Sequence, residues 1–226
     1  MAFYKALENI ELKKYSEANP ETFAVVFYSK ASLKNSSLFD KDMKKKVSTY
    51  FEDEKRISML LSKELTGDDR DILIIKDFDT KKPDHKKYKW LNNIFVGLDK
   101  YGVVEASIYA DTSSLFKNKS FVFDLAKIAE KATYRYTDTN PNTKSEAVLK
   151  TIDICVEKLN ASLNKSVELG FNVGRGANTA RNLGNRPANH ATPTYIANHV
   201  NKLAKEIGGF TVEVLEERDM KKLGMG

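Results

Sequence analysis

His85, His190 and His199 are the histidines of this 226-residue chain and Cys155 is its one cysteine. Neither residue type stands where it ordinarily does chemistry. A zinc-type site needs His, Cys or carboxylate partners at short spacing, as in H-E-x-x-H, and three scattered histidines do not supply one. His199 falls on the polar side of the helix predicted around it and His190 in a loop, so both read as surface or packing residues. Cys155 lies in the alternating run Ile152-Asp153-Ile154-Cys155-Val156, which reads as a strand with a buried thiol rather than an activated nucleophile. Asp68-Asp69 and Asp77-x-Asp79 are carboxylate pairs, and turn and capping roles explain them better than acid–base work. Gly174-Arg175-Gly176 begins a G-x-G-x-x-G pattern, but Thr179 stands at the third glycine's place. No apolar strand ends just before Gly174 and no acidic residue follows at the expected offset, so the stretch reads as helix and not as a phosphate-binding turn.

The run with the most regular spacing is residues 180 to 193, Ala-Arg-Asn-Leu-Gly-Asn-Arg-Pro-Ala-Asn-His-Ala-Thr-Pro. Ala180, Arg181, Leu183, Asn185, Pro187, Asn189, Thr192 and Pro193 mark its offsets. Pro187 disfavours the helical conformation at Arg186 and so ends the helix that carries Ala180 to Leu183. Thr192 is an N-cap with proline at the first helical position after it. The run is therefore a helix end, a rigid loop and a new helix start.

The spacing A-R-x-L-x-N-x-P-x-N-x-x-T-P resembles the segment that opens the catalytic domain of the leucyl (cytosol) aminopeptidases, the M17 family of two-metal exopeptidases. Tyr134-Arg135-Tyr136, a turn, and Val148 to Val156 resemble the family's Y-R-F/Y element and the strand after it. Val212 to Gly226, ending Lys-Leu-Gly-Met-Gly, resembles its V-x-V-L…L-G-M-G stretch. The likeness is specific from about Tyr134 onward and diffuse before it, where the family has a variable N-terminal α/β domain.

The resemblance implies a parent enzyme that uses two divalent metals, zinc or manganese, to polarise a scissile carbonyl and activate a bridging water, releasing N-terminal amino acids from peptides. It also implies a homo-hexamer with the catalytic domains at its centre. In the family the metal-binding carboxylates, the metal-ligating lysine and the catalytic lysine and arginine lie beyond the L-G-M-G segment. The expectation is that these 226 residues are the N-terminal portion of such an enzyme, hold no metal or cofactor or catalytic residue of their own, and are inactive alone. In the family the 180–193 run is scaffolding. Ala180, Arg181, Leu183, Asn185, Pro187, Asn189, Thr192 and Pro193 are thus expected to be structural, the asparagines satisfying loop backbone groups and Arg181 pairing within its domain. Tyr134-Arg135-Tyr136 is read the same way.

The elements that must position these residues read as α/β. An N-terminal mixed or parallel sheet flanked by helices is expected over 1–160, a linker helix and loop over 161–191, and the truncated start of a second α/β domain over 192–226. Phe23–Tyr28, Asp71–Ile75, Ile94–Gly97, Phe121–Phe123 and Val148–Val156 read as strands; Met43–Glu54, Arg56–Lys63 and Leu125–Tyr134 read as helices. Thr137–Lys144 is a polar surface loop. From Ser162, small residues recur at helical spacing, and Gly170, Gly174 and Gly176 would each cost about 1 kcal/mol against alanine in a helix interior. That stretch is either tightly packed against a neighbour or not helical. Pro193–Ile207 is an amphipathic helix stopped by Gly208-Gly209, Phe210–Val214 a strand, and 217–223 a short helix. The apolar faces of Pro193–Ile207 and Phe210–Leu215 are expected to be exposed in a truncated domain.

The hydrophobic content of 41% is that of an ordinary globular chain. The lone cysteine and the lack of an apolar leader or spanning stretch suit a cytoplasmic protein with no membrane partner. The 37 basic and 31 acidic residues, net charge +6, are interspersed except at Lys44-Lys45-Lys46 and at Lys81, Lys82, His85, Lys86, Lys87 and Lys89. These lysines read as solvated loop. They keep one alternative open, a non-catalytic binding or regulatory module that takes DNA through a lysine-rich surface with affinity falling steeply in salt.

Overall fold

Phe23–Tyr28 is apolar from end to end, and Ala24, Val25, Val26, Phe27 and Tyr28 are all buried, which is the signature of a strand covered on both faces. It forms β2, near the middle of a six-stranded sheet. The computed structural model of the chain describes residues 6–35, 39–66, 69–110, 113–139 and 147–225. Within them the strands are β1 (Asn9–Lys14), β2 (Phe23–Tyr28), β3 (Ser58–Leu61), β4 (Ile72–Lys76), β5 (Glu105–Tyr109) and β6 (Thr151–Val156), in the spatial order β1-β6-β5-β2-β4-β3. All neighbours are parallel except the edge strand β3, which pairs antiparallel to β4. The mixed α/β sheet expected from the sequence is present.

The helices are α1 (Lys30–Asn35), α2 (Lys41–Tyr50), α3 (Lys63–Thr66), α4 (Asp84–Tyr101), α5 (Lys119–Ala132), α6 (Ala161–Asn185), α7 (Pro193–Ile207) and α8 (Glu217–Lys222). One face of the sheet is covered by α4, α5 and the first part of α6 through Leu91, Phe95, Leu98, Leu125, Ile128 and Val167. The other is covered by α1 and α2 through Leu33, Val47 and Phe51.

Four elements differ from the sequence reading, the first two because packing period outweighs local composition. Ile94–Gly97 lies inside α4, whose Leu91, Ile94, Phe95 and Leu98 recur at helical spacing and whose end is capped by Gly102 at φ +85°. Phe121–Phe123 lies in the first turn of α5, capped by Asn118, and its two buried residues continue the apolar stripe to Ala132. Arg56–Lys63 is not a helix, because Ser58–Leu61 is drawn into the sheet by backbone pairing with Ile72–Ile75. The strand expected over Phe210–Val214 is unpaired chain; the described residues offer it no neighbouring edge. Strands β1 and β5 and helix α4 are additional to the sequence reading. The 140–146 part of the Thr137–Lys144 loop lies outside the described residues.

Candidate functional site

Helix α6 is 25 residues long, opened by Asn160, whose side-chain oxygen accepts from the Ser162 and Leu163 N–H groups. Its glycines are resolved by packing. A Cβ at Gly170 would lie 2.2 Å from the Phe123 carbonyl oxygen, and one at Gly174 would lie 2.9 Å from the Lys127 carbonyl oxygen. No atom lies within 4 Å of a Cβ built at Gly176. Gly170 and Gly174 therefore let α6 lie directly on the α5 backbone, and the contacts advance in the same direction along both helices.

The stripe Val167, Gly170, Gly174, Asn178 runs at spacings of three and four residues along that contact, and it changes from small to polar at Asn178. The Asn178 amide donates to the Glu130 backbone carbonyl at 2.8 Å and to the Glu130 carboxylate at 3.1 Å. The same carboxylate accepts the Ala6 and Leu7 N–H groups at 2.9 and 2.8 Å, so the strand β1 lead-in, α5 and α6 meet on one buried acid. Burial raises the Glu130 pKa, against the opposing pull of those three donors and of Arg175.

The stripe continues into the 180–193 run. Arg181 donates to the Lys131 carbonyl at 3.1 Å and to the Asn178 side-chain oxygen at 3.2 Å, and its guanidinium lies 4.2 Å from the centre of the Tyr134 ring. Asn185 donates to the Tyr134 hydroxyl at 3.0 Å, a side chain and not a loop backbone group. Asn182 and Arg186 both reach Asp138, and the Arg186 guanidinium also lies over Tyr195 of α7. Arg186 is extended at φ −70°, ψ 134°, as a residue before proline must be, and the Pro187 carbonyl takes the His190 and Ala191 N–H groups. Thr192 accepts the Tyr195 N–H at 3.2 Å with Pro193 next in line. Ala180, Pro187 and Asn189 are exposed and Leu183 is half-buried.

Arg135 is held separately. It donates to Asp99 at 2.6 Å, and Asp99 also accepts the Val148 and Leu149 N–H groups at 2.6 and 3.0 Å, locking the chain that enters β6 against the end of α4. Sequence reasoning missed Glu130, Asn178 and Asp99. The available signal was a carboxylate at a core-facing position of an otherwise apolar helix stripe.

The remaining candidates stay apart. Cys155 is fully buried and its thiol is pushed up to about 11 by burial and by Asp153. His199 stacks on Tyr195, its pKa lowered by burial and by Arg186 and Lys202. Asp79 caps the Lys81 N–H, whereas Asp77 accepts from Ser113 and is raised by burial to about 6; Asp68 lies outside the described residues. Gly174 to Gly176 is mid-helix, with no free helix start. Lys44–Lys46 stand on α2 and the second lysine run on and before α4, against opposite faces of the sheet, and Lys87 is committed to Asp84 and Asp124. No group of three or more His, Cys, Asp or Glu side chains among the described residues is placed to hold a metal. None of the described helices is long and apolar enough to cross a membrane.

A mixed six-stranded α/β unit whose last helix runs on, through a braced polar junction, into a further helix defines the class of protein. Residues 178–226 match the model of the cytosol aminopeptidase family, catalytic domain. A "probable cytosol aminopeptidase" of Nitrosococcus oceani is 33% identical over 105 residues, 45% of this chain and 21% of that protein; one of Alkalilimnicola ehrlichii is 38% identical over 98 residues, 42% and 20%. The fold is that of a tomato leucine aminopeptidase mutant, with TM-score 0.67 at 13% identity over 99% of this chain and 47% of that one. It is also that of the apo leucyl aminopeptidase of Trypanosoma cruzi, with TM-score 0.59 at 12% identity over 98% and 45%. The chain is thus similar to the cytosol aminopeptidase family, peptidase M17, in sequence over residues 178–226 and in fold over nearly its whole length. Its match spans about a fifth of the length of these curated relatives.

Proposed function

We propose that residues 1–160, 161–191 and 192–226 are the N-terminal domain, the linker helix with its loop, and the opening of the catalytic domain of a two-metal leucyl aminopeptidase, and that their part in peptide hydrolysis is positional. The observation that carries this reading is the continuous stripe from Val167 to Asn185, which fixes the helix leading into the 180–193 run against α5 and Tyr134. Arg181, Asn185 and Thr192 then act as scaffold: they set the direction of α7 and touch no reacting atom. Two zinc or manganese ions would supply carbonyl polarisation and an activated water in the whole enzyme. The described residues do not fit such a pair of ions, so no step of hydrolysis is assigned to them. Peptide substrates, a homo-hexamer and a cytoplasmic location follow from the family reading.

The test is the release of leucine from a chromogenic amide in the presence of Mn²⁺ or Zn²⁺. The 226-residue chain should give no metal-dependent release, and a chain that continues past Gly226 into a complete family catalytic domain should give it. Release by the 226-residue chain at the rate of the extended one would overturn the positional reading.

A further inference from the structure

At the carboxyl ends of the parallel strands the sheet has a reversal point. The chain leaving β2 turns into α1 and α2 on one face, and the chain leaving its neighbour β5 turns into α5 on the other. Adjacent connections that diverge to opposite faces leave a crevice between them, and in open α/β sheets this is where ligands lodge. The crevice is present here, about 420 Å³, reaching from Ser29 after β2 across the end of β5 to Val156 at the end of β6. That volume suits a small organic molecule.

Its lining among the described residues has two characters. Lys117 and Lys119 line it on either side of Asn118, the cap of α5, and neither forms an ion pair with a described residue. The Ser114 hydroxyl joins them, while Phe116 and Leu163 supply an apolar wall. The Asn160 side chain already satisfies the first N–H groups of α6, so recognition of a ligand falls to the ammonium and hydroxyl groups. Ser113, which also lines the crevice, is fixed by donating to Asp77 at 2.9 Å while accepting the Leu115 N–H at 3.1 Å, which holds the 113–117 turn in place. Two cations with no ion pair among the described residues, beside a hydroxyl, select an anion with several oxygen acceptors; an adjoining apolar wall selects one with an organic body.

From this geometry we propose that the crevice at the ends of β2, β5 and β6 binds a small phosphate ester, of mononucleotide size, with the phosphate on Lys117 and Lys119 and the organic part against Phe116 and Leu163. The site is independent of the aminopeptidase reading, since it uses no residue of the 178–226 segment.

Isothermal titration of the 226-residue protein at 150 mM salt with AMP, pyrophosphate, inorganic phosphate and a 12-mer oligonucleotide tests it. AMP should bind saturably and more tightly than inorganic phosphate. The pair Lys117→Gln and Lys119→Gln should weaken it at least tenfold, with the melting temperature unchanged because both side chains are exposed. Ala31→Trp, which fills the crevice from α1 and leaves the lysines alone, should abolish AMP binding as well. The proposal is overturned by the absence of saturable AMP binding, by AMP binding that survives both changes, or by binding confined to the oligonucleotide and lost with salt.

Discussion

The α5–α6 pair and the segment after Pro187 are both helical, yet they sit in opposite environments. Along α5 and α6, Phe121, Leu125, Ala129, Val167 and even the polar Glu130 and Asn178 are buried, while α7 and α8 have no buried residue at all. Ile196, Ile207 and Phe210 are 42%, 53% and 46% exposed. The specific family match, residues 178–226, nonetheless falls almost wholly on the exposed part. A packed core constrains sequence loosely, because many apolar combinations of the right volume fill it. Caps, pre-proline turns and polar side chains that each need a particular partner constrain it tightly, and they gather in the 180–193 run. Where a family is recognisable and where a chain is stable are thus different places in this molecule.

The comparison breaks most visibly at Gly170. Alanine there would put a Cβ 2.2 Å from a backbone oxygen of α5, which neither helix can yield without separating. The expected cost is about 3 kcal/mol or more, enough to lower the melting temperature by roughly 10 °C in calorimetry. Gly176, on the same helix with no atom within 4 Å of its built Cβ, is the counterpart. Its alanine variant should raise stability by up to about 1 kcal/mol, and equal losses at both positions would mean that α6 is not held by close approach to α5.

A second, smaller effect is pH-linked. Burial raises the Glu130 pKa above its ordinary value of 4.5, so between that value and the folded one the native state holds more protons than the unfolded state. Stability should therefore decline as pH rises from about 4.5 through the folded pKa, and melting curves of Glu130→Gln should lose that decline. In the same assay Asn178→Ala should cost about 1–3 kcal/mol by stripping donors from the buried acid and carbonyl. If Glu130→Gln keeps the wild-type slope, another group sets it.

The smallest effect belongs to the exposed segment. Ile196→Ser and Ile207→Ser should change the stability of this chain by less than about 0.5 kcal/mol in urea denaturation. They should also reduce any concentration-dependent association seen in sedimentation, since they remove exposed apolar surface. A loss as large as that at Gly170 would show that α7 is packed in solution.

Much of the junction was legible beforehand. The stop at Arg186, the Thr192–Pro193 start and the Pro193–Ile207 helix follow from proline sterics and capping, which act over three or four residues. Central strands β2 and β4 were legible for a similar reason, their apolar runs being too short and too β-branched for a helix. The Ile94–Gly97 and Phe121–Phe123 runs misled because three or four apolar residues carry no period of their own. The helical stripe that claimed them spans fourteen or more residues. Strand β3 was illegible because its state comes from the neighbouring β4 ladder and not from its own residues.

By itself, the sequence determined the α/β class, the helix–loop–helix at 180–193 and the likeness to the aminopeptidase family, because each is written in local backbone preferences or in residue spacing along the chain. Only the tertiary structure decided that α6 is a helix despite its glycines, that Glu130 and Asn178 join the start of the chain to that helix, and that β2 and β5 part to leave a crevice. Those three depend on which surfaces meet across long stretches of sequence, as Asn178 meets Glu130, 48 residues away. Such meetings are settled by the shape and desolvation of the folded whole, which no local pattern contains.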